Sequence, residues 1–164
     1  MKKSALNYID LFTGVGGLSL GFEKEGFENV FSIDFDRDAC KTYRKNFPNN
    51  TLLEKDIKNL NEKEILDLAE GRKVDVIVGG TPCQGFSIFG KRRFVYTKNH
   101  DVKSDKRNDL VFAYANIIKN VKPNWFIMEN VPGITSARNG DYIDAIRKFF
   151  TKNKYRTEIK IINA

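Results

Sequence analysis

Cys83 stands between Pro82 and Gln84 in the segment Gly79-Gly80-Thr81-Pro82-Cys83-Gln84-Gly85-Phe86-Ser87, directly after the apolar run Val74-Asp75-Val76-Ile77-Val78. A thiol on a loop leaving a strand is placed as a nucleophile, and its reactive form is the thiolate. Lys91, Arg92 and Arg93 follow closely, and positive charge nearby favours that form. The plainer alternative is a structural cysteine at a tight turn. Cys40, inside an amphipathic stretch, reads instead as a small buried hydrophobe. Three other segments carry chemistry. The first is Asp10-Leu11-Phe12-Thr13-Gly14-Val15-Gly16-Gly17. Its glycines let a backbone approach a ligand closely, although such a turn also serves tight packing. The second is Asp34, twenty positions after Gly14, which suits two ribose hydroxyls. Phe35 beside it suits an adenine face or the core. The third is Met128-Glu129-Asn130-Val131-Pro132-Gly133. Glu129 closes an apolar run, where burial would raise a carboxyl pKa and suit it to proton donation or hydrogen bonding. It could equally cap the loop that follows.

The first two segments fit an adenosine-bearing cofactor. A nicotinamide dinucleotide is the first guess, but Ser19 stands where that fingerprint wants its third glycine. No P-loop lysine follows either, which disfavours a phosphate-cradling loop.

The elements that must position these groups alternate apolar runs with amphipathic stretches, the pattern of an α/β fold with a parallel sheet. Strands are predicted at 8–12, 30–34, 51–53, 74–79, 125–129 and 155–163. Helices are predicted at 18–25, 38–46, 62–69, 109–121 and 142–153, with Asn108 or Asp109 capping the fourth and Pro123 beyond its end. Residues 80–108 show no clear period, many basic residues and the cysteine at their head, which reads as a functional, mobile loop. On this frame the glycine loop, Asp34, Asp56, Cys83 and Glu129 all fall at the carboxyl ends of strands. In an open parallel sheet, ligands bind along that rim.

The 164 residues make one domain with an ordinary balance of 41% apolar and 30% charged residues. The net charge of +7 favours a polyanionic partner without proving one. Two cysteines without a CxxC pair disfavour a disulfide framework or zinc site, and the lone His100 disfavours a metal site or a Ser-His-Asp arrangement. No apolar run is long enough to span a bilayer and no signal-peptide pattern opens the chain, so it reads as cytoplasmic.

Taken in order, Asp10-Leu11-Phe12 with Gly14, Gly16 and Gly17, then Pro82-Cys83-Gln84, then Glu129-Asn130-Val131 resemble the C5-cytosine DNA methyltransferases. Asp34-Phe35-Asp36, Asp56-Ile57, Gly85-Phe86-Ser87 and Asp105-Lys106-Arg107 leading into Leu110 agree. The resemblance covers essentially the whole chain. It implies a Rossmann-like, class I methyltransferase fold with helices on both faces of the sheet, and S-adenosyl-L-methionine as methyl donor. It places Phe12, Gly14, Gly16, Gly17, Pro82 and Leu110 around the cofactor and Asp34 on its ribose. Phe35 and Ile57 would sandwich adenine, and Asp56 would read its amino group. Cys83 would attack C6 of a flipped-out cytosine, Glu129 would contact N3 and the exocyclic amine, and Asn130 would hold the Pro82–Cys83 turn. Gln84, Ser87, Lys91 and Arg92 would face DNA. No metal is implied.

The resemblance departs after Ile161-Ile162-Asn163-Ala164. The family's Gln-x-Arg-x-Arg block, target-recognition region and final returning helix do not appear. Residues 1–164 are therefore expected to be the cofactor-binding and catalytic portion of a larger or split enzyme of a restriction-modification system, completed by a C-terminal subunit. Two rival readings remain: a tRNA cytosine methyltransferase of the same family, and a non-catalytic cofactor- or nucleic-acid-binding remnant.

Overall fold

Asn7-Tyr8-Ile9-Asp10-Leu11 forms strand β1 (Asn7–Leu11), and all five residues are buried. Burial on both faces is the mark of a central strand in a parallel sheet. In the computed structural model, which describes residues 5–82 and 108–163, β1 lies between β2 (Glu28–Asp34) and β4 (Val76–Gly80). The short β3 (Leu52–Glu54) pairs outside β2, and β5 (Trp125–Glu129) pairs outside β4. All pairings are parallel, in the order β3-β2-β1-β4-β5. The register aligns Leu11 with Ile33 and with Gly79, so the loops after β1, β2 and β4 leave one edge of the sheet. A register shift between Tyr8 and Ile9 skips Val30 and sets Asp10 opposite Ser32.

The described residues fall into two compact units. The first holds the sheet with α1 (Gly17–Lys24), α2 (Arg37–Asn46) and α3 (Glu62–Ala69). Leu18, Phe22 and Phe27 pack on Tyr8, Val76 and Val78, with the Tyr8 and Phe22 rings stacked 5.3 Å apart. The Asp36 carboxylate caps α2 by accepting from the Asp38 and Ala39 amides, and Asn61 caps α3 through the Glu64 amide. Strand β4 begins two residues later than predicted because side chains displace the ladder there. Asn7 accepts from the Asp75 amide and donates to the Lys73 carbonyl, while the Asp75 carboxylate accepts from the Asn7 amide.

The second unit contains α4 (Asn108–Val121), α5 (Gly133–Ser136), a 3-10 turn (Ala137–Gly140) and α6 (Asp141–Lys152). Val111, Tyr114, Ala115 and Ile118 make the buried stripe of α4 at helical spacing. Tyr142, Ile146 and Phe150 do the same for α6.

The five predicted helices and the first five predicted strands form, with small shifts at their ends. The strand predicted at 155–163 does not. That stretch has no regular structure, and Ile159, Ile161 and Ile162 are exposed. Its apolar residues look strand-like, but a strand exists only where a neighbour meets its backbone groups. Strand β5 is also not the buried strand expected. Trp125 and Ile127 are 73% and 49% exposed, which fits its place at the sheet edge.

Candidate functional site at the carboxyl edge of the sheet

The glycine loop turns sharply at the end of β1. Phe12, Gly14 and Gly16 all take positive φ, at 62°, 55° and 96°. The Thr13 amide donates to the Ile33 carbonyl at 3.1 Å, and the Gly16 amide closes a turn on the Thr13 carbonyl at 2.9 Å. Gly16 is required twice over: its φ lies in the left-handed region, and a Cβ there would collide with the Phe47 ring. At Gly14 and Gly17, by contrast, a Cβ would meet nothing within 4 Å. The loop therefore leaves open space beside its backbone, the form of a cradle for a ligand.

Asp34, at the end of β2, is half-buried and engaged. Its Oδ2 accepts from the Gly14 amide and its Oδ1 from the Asp36 amide, each at 2.8 Å. Each carboxylate oxygen keeps a further lone pair. Phe35 beside it is 66% exposed, so it is not a core aromatic. Beyond β3, Asp56 is exposed and accepts from the Lys58 amide at 2.9 Å, which caps the 3-10 turn Ile57–Asn59. Ile57 is buried in that turn, with 5% exposure.

Glu129 is exposed at the end of β5, so the burial expected for it is not present. Its register partner is Gly80, and a Cβ on Gly80 would lie 3.0 Å from Glu129 Oε2. The glycine thus makes room for the carboxylate.

The first unit brings together on one sheet edge Phe12, Gly14, Gly16, Gly17, Asp34, Phe35, Asp56 and Glu129, with Ile57 beneath. In the second unit, Leu110 is half-buried in the first turn of α4 and Pro82 is half-buried. Asn130 Oδ1 accepts from the Val131 amide at 2.9 Å, just ahead of α5. Cys83, Gln84, Ser87, Lys91, Arg92 and the rest of 83–107 in the predicted loop lie outside the described residues, while Gly80 and Asn108 at its two ends belong to β4 and α4. Among the described residues, no three His, Cys, Asp or Glu groups are placed to hold a metal, and no helix is long and apolar enough to cross a membrane.

Sequence reasoning missed the floor of the glycine loop. Asp10 is fully buried, and its Oδ2 accepts from the Thr13 hydroxyl at 2.9 Å and the Ser19 hydroxyl at 2.6 Å. Oδ1 has no partner among the described residues. Burial pushes the carboxyl pKa up to about 6, against the opposing pull of the Ser19 and Thr13 hydrogen bonds. The Ser19 hydroxyl also meets Tyr43 Oη at 3.1 Å, and Tyr43 Oη meets the Ser32 hydroxyl at 2.7 Å. The signal was present: a carboxylate inside an apolar strand, and serine where a dinucleotide fingerprint has glycine. Cys40 is fully buried as expected. Burial raises its thiol pKa, and its Sγ faces the Asp34 carbonyl at 3.5 Å.

A parallel sheet of this order, with a glycine cradle after β1 and a carboxylate ending β2, is the frame of a Rossmann-like methyltransferase. The profile of the C-5 cytosine-specific DNA methylase family matches residues 6–164, and the chain belongs to that family. It is 38% identical over 160 residues to the type II methyltransferase M1.HphI of Haemophilus parahaemolyticus, covering 98% of this chain and 41% of that protein. Among solved structures it is similar to a protein described as a DNA modification methyltransferase encoded within an E. coli prophage. That likeness has a TM-score of 0.74 and 32% identity, and covers 90% of this chain and 38% of that one. The Spodoptera frugiperda DNMT2 structure matches with a TM-score of 0.62 and 25% identity, over 88% of this chain and 41% of that one. The chain spans about two fifths of the length of M1.HphI.

Proposed function

We propose that this chain carries the S-adenosyl-L-methionine pocket and the nucleophile of an enzyme that methylates C5 of cytosine in DNA. The observation that supports this most is the convergence of the glycine cradle, Asp34, Phe35 and Glu129 on one sheet edge in a member of this family. The residues present fit the cofactor. The open space at Gly14 and Gly17 admits a ligand against backbone, Asp34 retains acceptor capacity for ribose hydroxyls, and exposed Phe35 offers a face for adenine. Pro82 and Leu110 are further cofactor contacts that the family resemblance implies, and Asp56 and Ile57 would form the adenine end. When bound, the cofactor supplies a methyl group on a positively charged sulfur, which is electrophilic toward C5.

The protein's own part is to make C5 a nucleophile. Cytosine C5 is a poor one until C6 is saturated. Cys83, as thiolate, adds to C6 and pushes electron density toward C5. Glu129, at the end of β5, holds N3 and the exocyclic amine and offsets the charge that develops there. After methylation, loss of the C5 proton expels Cys83 and restores the ring. Asn130 would steady the Pro82–Cys83 turn, and Gln84, Ser87, Lys91 and Arg92 would contact the DNA. Reading of a target sequence is assigned to the length that relatives such as M1.HphI carry beyond the matched part, in the same polypeptide or in a complementary subunit. The likeness to type II enzymes favours a role beside a restriction enzyme in the cytoplasm.

The test is methyl transfer from labelled cofactor to duplex DNA, with RNA as a parallel substrate, by this chain with and without that further length. Label in DNA cytosine, only when both parts are present, supports the reading. Label in RNA alone would replace it with the RNA reading.

A further inference from the structure

We infer that Asp10 is a positioning residue for the cofactor loop: its buried carboxylate, accepting at one oxygen from both Thr13 and Ser19, fixes the loop in the shape that receives the ligand. The inference rests on the reading of this loop as the S-adenosyl-L-methionine pocket.

Three of the five residues from Phe12 to Gly16 have positive φ, and Phe12 is not glycine. Backbone held in such regions persists only when its surroundings over-determine it. Asp10 Oδ2 supplies that constraint. Thr13 lies inside the turn and Ser19 in the first turn of α1, so one oxygen ties the loop to the helix it leads into. From the rim, Asp34 Oδ2 holds the Gly14 amide. The loop is therefore bracketed by two carboxylates, one below and one at its mouth.

The hydroxyl protons run in one direction when Asp10 is ionised. A carboxylate only accepts, so Ser19 must donate to it. The single Tyr43 proton then goes to Ser19, and Ser32 donates to Tyr43. Asp10 is thus the terminal acceptor of a chain crossing from β2 through α2 to α1. Such a group is costly, because one of its oxygens is buried without a partner among the described residues.

The test is calorimetric binding of S-adenosyl-L-methionine and its demethylated product to the wild-type chain, Asp10→Asn, Asp10→Ala and Thr13→Val. Each is measured well below its own melting temperature. The asparagine amide oxygen can accept both hydroxyls, so Asp10→Asn should bind within about 3-fold of wild type. Asp10→Ala and Thr13→Val should bind about 10-fold or more weakly while remaining folded. If Asp10→Ala fails to fold, Thr13→Val carries the comparison, because it removes one of the two ties and leaves the carboxylate in place. Wild-type affinity in folded Asp10→Ala or Thr13→Val would overturn the inference, as would an Asp10→Asn loss equal to that of alanine. Absence of binding by the wild type would instead count against the pocket itself.

Discussion

Asp34 ties the fold together at the place proposed for the cofactor. Its two oxygens take the Gly14 and Asp36 amides, and each keeps a further lone pair. Asp34→Ala should therefore weaken cofactor binding by about 1–3 kcal/mol through lost charge-assisted hydrogen bonds. Calorimetry on folded variant and wild type measures this directly. Asp10 makes a separate prediction about stability. Its pKa is raised from 3.8 to about 6 in the fold, so the folded state holds the proton more tightly than the unfolded chain. The stabilisation this gives is fully present below pH about 4 and is lost as pH rises through about 6, a change of about 2–3 kcal/mol. Asp10→Asn lacks this titration. Its stability relative to wild type should rise by that amount between pH 4 and pH 7 in urea denaturation. At this scale the places of Asp34 and the glycines at strand ends and the burial of Cys40 were legible in the sequence, because spacing and flanking residues mark them. It did not assign the roles of Asp10, Ser19 and Tyr43, because a buried network depends on which faces of β1, β2, α1 and α2 meet.

Among the elements, the loop-to-helix junction before α1 is the least tolerant of change. Gly16 combines φ of 96° with contact against Phe47. Gly16→Ala should cost about 2–4 kcal/mol, the sum of left-handed backbone strain and displacement of a packed ring. Thermal unfolding checks it. Asp36 caps α2 through two amides, and Asp36→Ala should cost about 1 kcal/mol. Helices were legible because their apolar stripes are local, as at Val111, Tyr114 and Ile118 of α4. Strand β5 was legible in its residues but not in its burial, since an edge position is a property of the whole sheet. The stretch after Tyr155 was read as a strand for the same reason: apolar composition does not supply a pairing partner. Tyr155 instead turns back to the Phe150 carbonyl at 3.0 Å, close to the end of α6.

For the whole molecule, the sheet order explains why segments far apart in sequence meet at one edge. Parallel pairing sends the chain ends of β1, β2, β3, β4 and β5 to one edge, and with them Gly14, Asp34, Asp56, Gly80 and Glu129. The proposed nucleophile, Cys83, follows β4 in sequence. The measurement that tests the proposed function most directly is covalent trapping on DNA containing 5-fluorocytosine, with cofactor present, by this chain with and without the further length that relatives such as M1.HphI carry. Fluorine at C5 leaves no proton to remove, so elimination stops after methyl transfer. A denaturant-resistant adduct should form, mass mapping should place it on Cys83, and Cys83→Ala should give none. Methylation of ordinary DNA without any trapped adduct, or an adduct that persists in Cys83→Ala, would contradict the account.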